Sequence, residues 1–222
     1  GVAVPAAGSG TRMGGVRKPY LLLAEEPVLV HALRPFLADE RVVAVVVALG
    51  EADASAPPEW LTGLDPRISV VVGGATRAES VRNALGALPA DLDVVAVHDA
   101  ARPLVTPEVV ARCIDVAAGG EGAVAGCPAV DTMKEVDEHG YVVGTPQRSR
   151  LWHAHTPQVF PAEALRRAYE SGFEGATDDA SLVERTGLPV RVVDGGPVNL
   201  KVTNASDLTL AEAVLRARAE GR

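Results

Sequence analysis

The sequence predicts an α/β fold in which a mostly parallel sheet is flanked by helices. Short apolar runs alternate with stretches of helical length, which is typical of parallel strands joined by crossover helices. The run Val42–Leu49 is apolar throughout, as expected for a strand covered on both faces. Helix-start signals separate the runs, since Thr76–Glu79 matches a capping box and Thr106 precedes a proline.

Each element can be assigned from its own run of residues. In chain order, the predicted strands are Val2–Val4, Val42–Leu49, Ile68–Val72, Val94–Val97, Ala123–Val130 and Val190–Val193. The predicted helices are Pro27–Leu37, Thr76–Leu88, Thr106–Ala118, Pro161–Ser171, Asp178–Thr186 and Ser206–Arg218. We expect the first helix to end or kink near Pro35, because proline lacks the N–H that a helix interior needs. We expect the polar stretch Leu151–Gln158 to be irregular.

The alternation breaks between Asp131 and Arg150. Polar and apolar residues alternate in Thr132–Val136 and Tyr141–Val143 on either side of a turn, which indicates a β-hairpin. Such a hairpin can be an arm that meets a partner subunit or a flap on its own domain. No linker or repeat divides the chain. We therefore expect one Rossmann-like domain over residues 1–222, with an inserted β-hairpin arm at about 131–150.

The composition disfavours several classes of protein. The net charge of −8 argues against a nucleic-acid binder, which is usually basic. The longest apolar run has eight residues, whereas a membrane helix needs about 20, and the opening residues suggest a strand instead of a signal peptide. Cys113 and Cys127 have no metal-binding spacing, so we expect buried thiols in a reducing compartment. These features predict a cytoplasmic protein.

A glycine-rich loop follows the first predicted strand. The stretch from Val4 to Pro19 contains four glycines and three cations. It is not a Walker loop, because no Ser or Thr follows Lys18, and Met13 replaces the third glycine of a dinucleotide fingerprint, which disfavours an NAD-dependent oxidoreductase. Small residues let backbone N–H groups approach an anion, and Arg12 and Lys18 add positive charge. The loop favours a nucleoside triphosphate.

Two other predicted strands end in polar segments. Asp99 follows the fourth strand, at the end of a parallel sheet where ligands bind, and its carboxylate could hold Mg²⁺ against phosphate oxygens. Arg102 could bind a second anionic group, although a structural Asp–Arg pair is the alternative. Two glycines ending at Gly74 follow the third strand. Arg77 and Ser80 come next and could contact a nucleotide or only support the start of a helix.

The lysines form a small and informative set. Of 21 cationic residues, only Lys18, Lys134 and Lys201 are lysines. Where arginine takes most cationic positions, a retained lysine is a candidate for a site that needs a compact ammonium group. Chance survival at the surface is the alternative.

Several motifs together resemble one known family. The segments PAAGSGTRM, GGATRAES, HDAARP, DTMK, RLWHAHTPQ, TDDAS and NLKVT occur in this order over nearly the whole chain. In these motifs the chain is similar to the 2-C-methyl-D-erythritol 4-phosphate cytidylyltransferases of the nucleotidyltransferase superfamily. The resemblance implies that CTP and 2-C-methyl-D-erythritol 4-phosphate react to give 4-diphosphocytidyl-2-C-methyl-D-erythritol and pyrophosphate, in the non-mevalonate route to isoprenoid precursors.

The resemblance also implies the residues of the site. Arg12 and Lys18 would lie against the triphosphate as catalytic cations. Lys201 would contact the α-phosphate, and Asp99 would bind Mg²⁺ or another divalent cation. The residues implied to line the nucleotide pocket are Ala6, Ala7, Gly8, Gly74, Ser80 and Ala100. Those implied to hold the methylerythritol phosphate are Arg102, Thr132, Arg148, Thr156 and Thr177.

The resemblance further implies a homodimer in which the arm of one subunit reaches the site of the other. Two other functions stay open at this point. A cytidylyltransferase for another polyol phosphate, such as ribitol 5-phosphate, would share the glycine loop and Asp99. A regulatory protein that binds a nucleotide without turnover would have little need for both Lys18 and Lys201.

Overall fold

A seven-stranded sheet forms the centre of the molecule. A computed structural model describes residues 1–8 and 18–221, with the backbone alone for Lys18. The strands are β1 (Val2–Pro5), β2 (Leu22–Leu23), β3 (Glu26–Pro27), β4 (Val45–Leu49), β5 (Ile68–Val72), β6 (Val94–Val97), β7 (Gly122–Pro128), β8 (Glu135–Val136), β9 (Val142–Gly144), β10 (Trp152–Pro161) and β11 (Val190–Asp194). The main sheet has the order β11-β7-β10-β6-β1-β4-β5, and β10 is antiparallel to both of its neighbours.

Helices pack on both faces of this sheet, which confirms the predicted fold class. They are α1 (Val28–Leu37), α2 (Glu51–Ser55), α3 (Glu59–Thr62), α4 (Arg77–Ala87), α5 (Pro107–Ala118), α6 (Ala162–Glu170), α7 (Asp179–Glu184) and α8 (Ala205–Glu220). The capping box at the start of α4 is present, since the Thr76 side chain accepts from the Glu79 N–H and the Glu79 side chain accepts in return. Helix α1 contains Pro35 in its last turn and ends two residues later, at Leu37, near the predicted position.

Two hydrophobic layers cover the sheet. Leu33 and Phe36 of α1 pack with Val110 of α5 on one face. Val81 of α4 and Leu165 of α6 pack on the other face. Burial of both sheet faces explains why the strands are almost wholly apolar. Cys113 is buried as predicted, whereas Cys127 is only partly buried, because it lies near the end of β7 where the covering layer thins out.

The stretch predicted to be irregular is instead a central strand. Residues Trp152–Pro161 form β10, whose second half is buried between β6 and β7. The prediction was wrong because polar residues and Pro157 hide the strand pattern. The pairing with β7 shifts register between Ala154 and Gln158, so a bulge accommodates these residues. The strand consequently carries Thr156 to the carboxyl end of β6, where Asp99 begins the next loop.

The predicted hairpin is present as an arm outside the main sheet. Strands β8 and β9 pair with each other in a separate two-stranded sheet. Nearly every residue from 131 to 150 is exposed. Between residues 18 and 221 and in residues 1–8, no helix is both long enough and apolar enough to cross a membrane.

Candidate active site

Two loops at the carboxyl ends of β1 and β5 lie in close contact. A Cβ atom on Gly73 would lie 2.5 Å from the Cβ of Ala7 and 2.9 Å from the Oγ of Ser80. Side chains do not approach one another this closely, so position 73 requires glycine. The absence of a side chain brings these two runs of backbone together. We call this edge of the sheet, where the loops after β1, β5 and β6 lie, the rim. A flat ligand can therefore contact main-chain groups of both loops.

Ser80 supports this rim from within. Its hydroxyl accepts a hydrogen bond from the Gly74 N–H at 3.0 Å and donates one to the Thr76 carbonyl at 3.0 Å. The residue is buried. Ser80 therefore holds the glycine loop in place, while the backbone of Gly74 stays partly exposed. Of the other predicted nucleotide residues, Ala6 and Ala100 are buried and Ala7 and Gly8 are more exposed.

Asp99 is the electrostatic centre of the rim. Its Oδ1 accepts from the Nε of Arg77 at 2.8 Å, and its Oδ2 accepts from the Nζ of Lys201 at 2.8 Å. The Nε of Arg102 lies 3.8 Å from Oδ2. Burial alone would raise the pKa of Asp99, but Arg77 and Lys201 hold that pKa well below its usual range. Asp99 is therefore an ionised carboxylate even though it is 7% exposed.

Arg77 links Asp99 to a second, fully buried carboxylate. The Nη2 of Arg77 donates to Asp179 Oδ2 at 2.8 Å, and Asp179 has no solvent exposure. The hydroxyl of Tyr169 donates to Asp179 Oδ1 at 2.6 Å. Burial would lower the pKa of Arg77, but Asp179 and Asp99 raise it above its ordinary value. This chain of contacts fixes the Arg77 guanidinium, which in turn fixes one oxygen of Asp99.

The ion-paired cluster around Asp99 carries more positive than negative charge. Among the described side chains, three cations (Arg77, Arg102 and Lys201) pair with two carboxylates (Asp99 and Asp179), which leaves one positive charge in excess within this cluster. The Lys201 side chain is 41% exposed, so it can reach a bound molecule. A site of this kind attracts an anion and offers a lysine ammonium on a flexible stem to it.

A second network ties Arg102 to the last loop before α8. The Nη1 of Arg102 donates to the Asn199 carbonyl at 2.8 Å, and the Nδ2 of Asn199 donates to the Thr156 carbonyl at 2.9 Å. The Nε of Arg102 is buried without a hydrogen-bond partner in the described part of the chain. Burial lowers the pKa of Arg102. Its guanidinium therefore keeps a donor available beside Asp99, which suits the binding of a further anionic group.

His98 and Thr156 lie directly beneath this network. The hydroxyl of Thr156 accepts from the Asp99 N–H at 3.0 Å and lies 3.0 Å from the Nδ1 of His98. His98 is fully buried, and burial lowers its pKa to about 4. Its ring is therefore neutral at pH 7.

The remaining predicted acceptor residues lie apart from Asp99. Thr132 and Arg148 are on the arm, and both are exposed. The Nη1 of Arg148 donates to the Val130 carbonyl at the base of the arm, at 2.7 Å. Thr177 is exposed just before α7. Thus the structure brings Asp99, Arg102, Thr156 and Lys201 together, but not the arm residues.

Two predicted catalytic cations fall outside what the structure describes. Arg12 lies in the stretch 9–17, and the side chain of Lys18 is not described either. The backbone of Lys18 begins a short 3-10 turn, Lys18–Tyr20, which leads into the strand pair β2–β3.

The rim supplies a single carboxylate for a divalent cation. Among residues 1–8 and 18–221, no group of three or more His, Cys, Asp or Glu side chains could hold a metal by itself. Mg²⁺ commonly binds through few carboxylates together with substrate phosphates and water. Asp99 is ionised and points into the rim, so the residues present fit a metal held mainly by a nucleotide.

Sequence reasoning missed several residues that build this site. Asp179 and Tyr169 were not singled out, although TDDAS placed two acids together, and burial of the second could not be read from the motif. Arg77 was recognised as a possible ligand contact but not as the link between two carboxylates. Asn199 and His98 lie beside predicted site residues and were not singled out either.

The fold and the rim define a class of protein. Glycine-rich backbone at the carboxyl ends of parallel strands, beside an ionised carboxylate and a partly exposed lysine, is typical of a nucleotide-binding phosphoryl-transfer enzyme. A family model described as 2-C-methyl-D-erythritol 4-phosphate cytidylyltransferase matches residues 1–217. The chain belongs to this family and is a cytidylyltransferase.

Individual relatives agree with this assignment. A 2-C-methyl-D-erythritol 4-phosphate cytidylyltransferase from Symbiobacterium thermophilum is 47% identical, over 98% of this chain and 93% of the relative. One from Parasynechococcus marenigrum is 42% identical over 97% of each chain. The 4-diphosphocytidyl-2C-methyl-D-erythritol synthase structure from Anaerococcus prevotii superposes with a TM-score of 0.86 at 28% identity, covering 97% of this chain and 95% of that one. A Thermus thermophilus cytidylyltransferase structure has a TM-score of 0.80 at 33% identity, with 97% and 98% coverage.

Proposed function

We propose that the chain transfers CMP from CTP to 2-C-methyl-D-erythritol 4-phosphate, releasing pyrophosphate and forming 4-diphosphocytidyl-2-C-methyl-D-erythritol, a step of isoprenoid precursor synthesis by the non-mevalonate route. The observation that carries the proposal is the rim itself. One ionised carboxylate, Asp99, is held between Arg77 and Lys201 at the place where parallel-sheet enzymes bind their ligands. Family membership supplies the identity of the two substrates.

The nucleotide lies across the loops after β1 and β5. The backbone of Ala6, Ala7, Gly8 and Gly74 lines its pocket, with Ala100 on the side of β6 and Ser80 behind. A pocket lined by main-chain groups, such as those that meet where Gly73 contacts Ala7, suits a pyrimidine and would crowd a purine. Selectivity for CTP therefore comes from the shape of the backbone.

The reaction is an in-line attack by the acceptor's phosphate oxygen on the α-phosphorus of CTP. Both groups are anionic, so catalysis consists mainly of positioning and charge neutralisation. Lys201 moves its ammonium from Asp99 onto the α-phosphate, and Arg12 and Lys18 contact the triphosphate from the glycine loop. Pyrophosphate leaves directly, and no side chain becomes covalently modified.

Asp99 is proposed to hold Mg²⁺ against the triphosphate. A divalent cation supplies extra positive charge to phosphate oxygens as the leaving group departs. Arg77 keeps one oxygen of Asp99 oriented by a 2.8 Å hydrogen bond, which leaves the other free once Lys201 turns to the phosphate. The protein thereby contributes an oriented carboxylate instead of a complete set of ligands.

The acceptor site is proposed to be shared between two subunits. Arg102 lies at the rim with Thr156 buried beneath it, Thr177 is exposed just before α7, and Thr132 and Arg148 lie on the exposed arm. The arm leaves Tyr141 and Val143 72% and 61% exposed, which is unusual for large apolar side chains. A homodimer in which the arm reaches the neighbouring rim would bury them and complete the site.

We place this enzyme in the cytoplasm.

The test is pyrophosphate release by the purified protein with Mg²⁺. CTP, ATP, GTP and UTP are each paired with methylerythritol phosphate and with ribitol 5-phosphate. Release confined to CTP with methylerythritol phosphate supports the proposal. Release with ribitol phosphate instead would retain the chemistry but change the acceptor, and no release from protein that binds CTP would favour a non-catalytic nucleotide binder.

A mixing experiment tests the shared site. Arg148→Ala removes an arm residue, and Arg12→Ala removes a residue of the glycine loop. If each site uses an arm from one subunit and a loop from the other, mixing two inactive variants restores part of the activity. Activity that never rises above that of the separate variants would contradict a shared site, provided that subunit exchange is shown with labelled protein.

A further inference from the structure

We propose that His98 and Thr156 form a buried positioning pair that holds the turn Asp99–Arg102 in its working shape. In this role the Thr156 hydroxyl acts through the turn and does not bind the acceptor directly. The inference rests on the proposed function, because the turn carries the residues assigned there to the metal and to the acceptor.

The turn connects the two halves of the site. The Arg102 N–H donates to the Asp99 carbonyl at 3.0 Å, which closes a four-residue turn. Asp99 at its start is the residue assigned to the metal, and Arg102 at its end is one assigned to the acceptor. The Ala101 carbonyl accepts from the Val202 N–H at 2.7 Å, so the same turn positions the segment that carries Lys201. A shift of this turn would move all three charged groups.

The ring of His98 has one arrangement that satisfies both of its nitrogens. Nε2 lies 3.1 Å from the Arg102 carbonyl oxygen. A carbonyl oxygen only accepts, so Nε2 carries the proton and donates. The Thr156 hydroxyl already accepts from the Asp99 N–H, so it donates its own proton to the other ring nitrogen, Nδ1, at 3.0 Å.

The Thr156 hydroxyl is consequently committed within the protein. It donates its proton to His98 and accepts from the Asp99 N–H. Thr156 is 4% exposed. Its hydroxyl thus has no proton to offer a substrate phosphate. The hydrogen bonds therefore form a chain. The Asp99 N–H donates to Thr156, Thr156 donates to His98, and His98 donates to the Arg102 carbonyl.

The surroundings make this orientation hard to change. His98 has no solvent exposure, and its ring packs against Phe36 with centroids 5.0 Å apart. In such an environment an unpaired polar atom is expensive, so the hydrogen bonds stay formed. An apolar side chain would fill the space equally well but could not form hydrogen bonds with the backbone of the turn. The pair therefore orients the backbone of the turn and also fills space in the core.

The first test compares two variants of Thr156. Thr156→Ser keeps the hydroxyl, and Thr156→Val keeps the shape without it. Because a misplacement of about 1 Å can cost up to about 10²-fold in rate, we expect Thr156→Val to lower kcat by about tenfold or more. We also expect it to raise the KM values for both CTP and the acceptor, while Thr156→Ser stays within a few-fold of wild type.

This pattern distinguishes positioning from direct contact. A hydroxyl that bound the acceptor would affect the acceptor KM alone when removed, and that result would overturn the proposal. A folded Thr156→Val variant with wild-type kcat and KM values would also overturn it. Lost thermal stability without a change in kcat at 25 °C would indicate a merely structural role and would count against it too.

Two variants of His98 separate its two hydrogen bonds. The amide of Asn can replace Nδ1, so His98→Asn retains a partner for Thr156. The amide of Gln can replace Nε2, so His98→Gln retains a donor to the Arg102 carbonyl. We expect His98→Asn mainly to weaken acceptor binding and His98→Gln mainly to weaken CTP binding. Equal, wild-type kinetics in both folded variants would contradict the proposal.

His31→Gln is the matched control. His31 Nε2 also lies against a carbonyl oxygen, that of Leu23 at 2.7 Å, but this carbonyl belongs to β2 and not to the turn Asp99–Arg102. We expect its kcat and KM to stay within about twofold of wild type, as for substitutions outside the site. A loss equal to that of His98→Gln would show that any such histidine matters, and would overturn the specific role of His98.

A spectroscopic measurement on the wild-type protein needs neither activity nor a folded variant. Long-range ¹H–¹⁵N correlation spectra of ¹⁵N-histidine protein distinguish the two neutral tautomers. We expect His98 to be the Nε2–H tautomer at pH 7. An Nδ1–H tautomer or a charged ring would overturn the proposal. If the wild-type enzyme released no pyrophosphate, the proposed function would fail, while the spectrum would still decide the hydrogen-bond network.

Discussion

The rim and the arm carry residues assigned to the same reaction, yet they are built in opposite ways. At the rim, Asp99 and Asp179 are buried and held by hydrogen bonds of 2.6 to 2.8 Å from Arg77, Lys201 and Tyr169. The arm consists of two strands of two and three residues that pair with each other. Its apolar side chains face outward.

This difference separates two tasks. The rim is pre-organised by contacts within one chain, so its charged groups are already oriented before a ligand or a second subunit binds. A lone two-stranded hairpin is marginally stable in water, so the arm needs another surface to define its position. The charged groups of the rim are therefore held within one chain, whereas the position of the arm depends on what covers it.

The largest expected effect comes from removing Arg77. In Arg77→Leu, Asp179 would remain buried with an uncompensated charge, because Tyr169 offers only a neutral hydroxyl. Breaking a buried ion pair in this way costs about 3–5 kcal/mol. We expect a loss of that order in the free energy of unfolding, measured by urea denaturation monitored by circular dichroism.

The matched control is the exposed pair between Arg167 and Glu163. Its side chains are 61% and 81% exposed, and such pairs contribute about 0–1 kcal/mol. Arg167→Leu should therefore change stability very little. Similar losses in both variants would mean that the rim is no more rigidly built than the surface.

The second prediction concerns the ammonium of Lys201. We expect Lys201→Ala to lower turnover by about 10²-fold or more, because a positive charge next to the reacting phosphate is lost. Lys18→Ala should have an effect of the same order. Steady-state pyrophosphate release at saturating CTP measures both.

Lys201→Arg sharpens this prediction. It retains the charge but not the compact, flexible ammonium group, so its loss should be smaller than that of the alanine variant. A folded Lys201→Ala enzyme with turnover within twofold of wild type would remove Lys201 from the mechanism.

The third prediction addresses the arm. If Tyr141 and Val143 are buried in a dimer, replacing both with serine removes two apolar contacts of about 1.5–3 kcal/mol each. We expect the dimer dissociation constant to rise by about 10²-fold or more, without a change in monomer stability. Analytical ultracentrifugation over a concentration series measures the dissociation constant.

Leu210→Ser serves as a control on an equally exposed apolar residue of α8, 56% exposed, outside the arm. It should leave the dissociation constant unchanged. Wild-type protein that sediments as a 23.0 kDa particle at every concentration would rule out the dimer.

The smallest expected effect is a difference in reactivity between two thiols, Cys113 in the core and Cys127 near the base of the arm. Burial raises the pKa of Cys113 to about 12. Cys127, near the end of β7, is only partly buried. With a thiol reagent at pH 8, we expect Cys127 to react first and Cys113 only on unfolding, as measured by mass spectrometry. Equal rates would show that the core opens as readily as the base of the arm.

Local patterns were enough to predict much of this molecule. The parallel strands are apolar runs whose assignment needs no knowledge of distant residues, and the cap of α4 is encoded within four positions. The hairpin was visible from alternation around a turn. Arg102, Asp99 and Lys201 were singled out by their place after strands and by the scarcity of lysine, and the structure brings these three together.

Other features required the folded chain. Strand β10 was missed, because its polar residues and proline fit a strand only when a bulge and two neighbouring strands supply their partners. Asp179 and Tyr169 meet Arg77 only because α6, α7 and α4 pack on one face of the sheet.

The sequence by itself determined the fold class, the glycine loops and the family, because these depend on short patterns and on motifs in order. Only the tertiary structure decided that Arg77 joins two carboxylates, that Ser80 faces its own loop, and that His98 and Thr156 close the turn at Asp99. These are contacts between residues up to 102 positions apart. Hydrogen bonds and ion pairs act over a few ångströms, so their partners are defined by packing and not by separation along the chain.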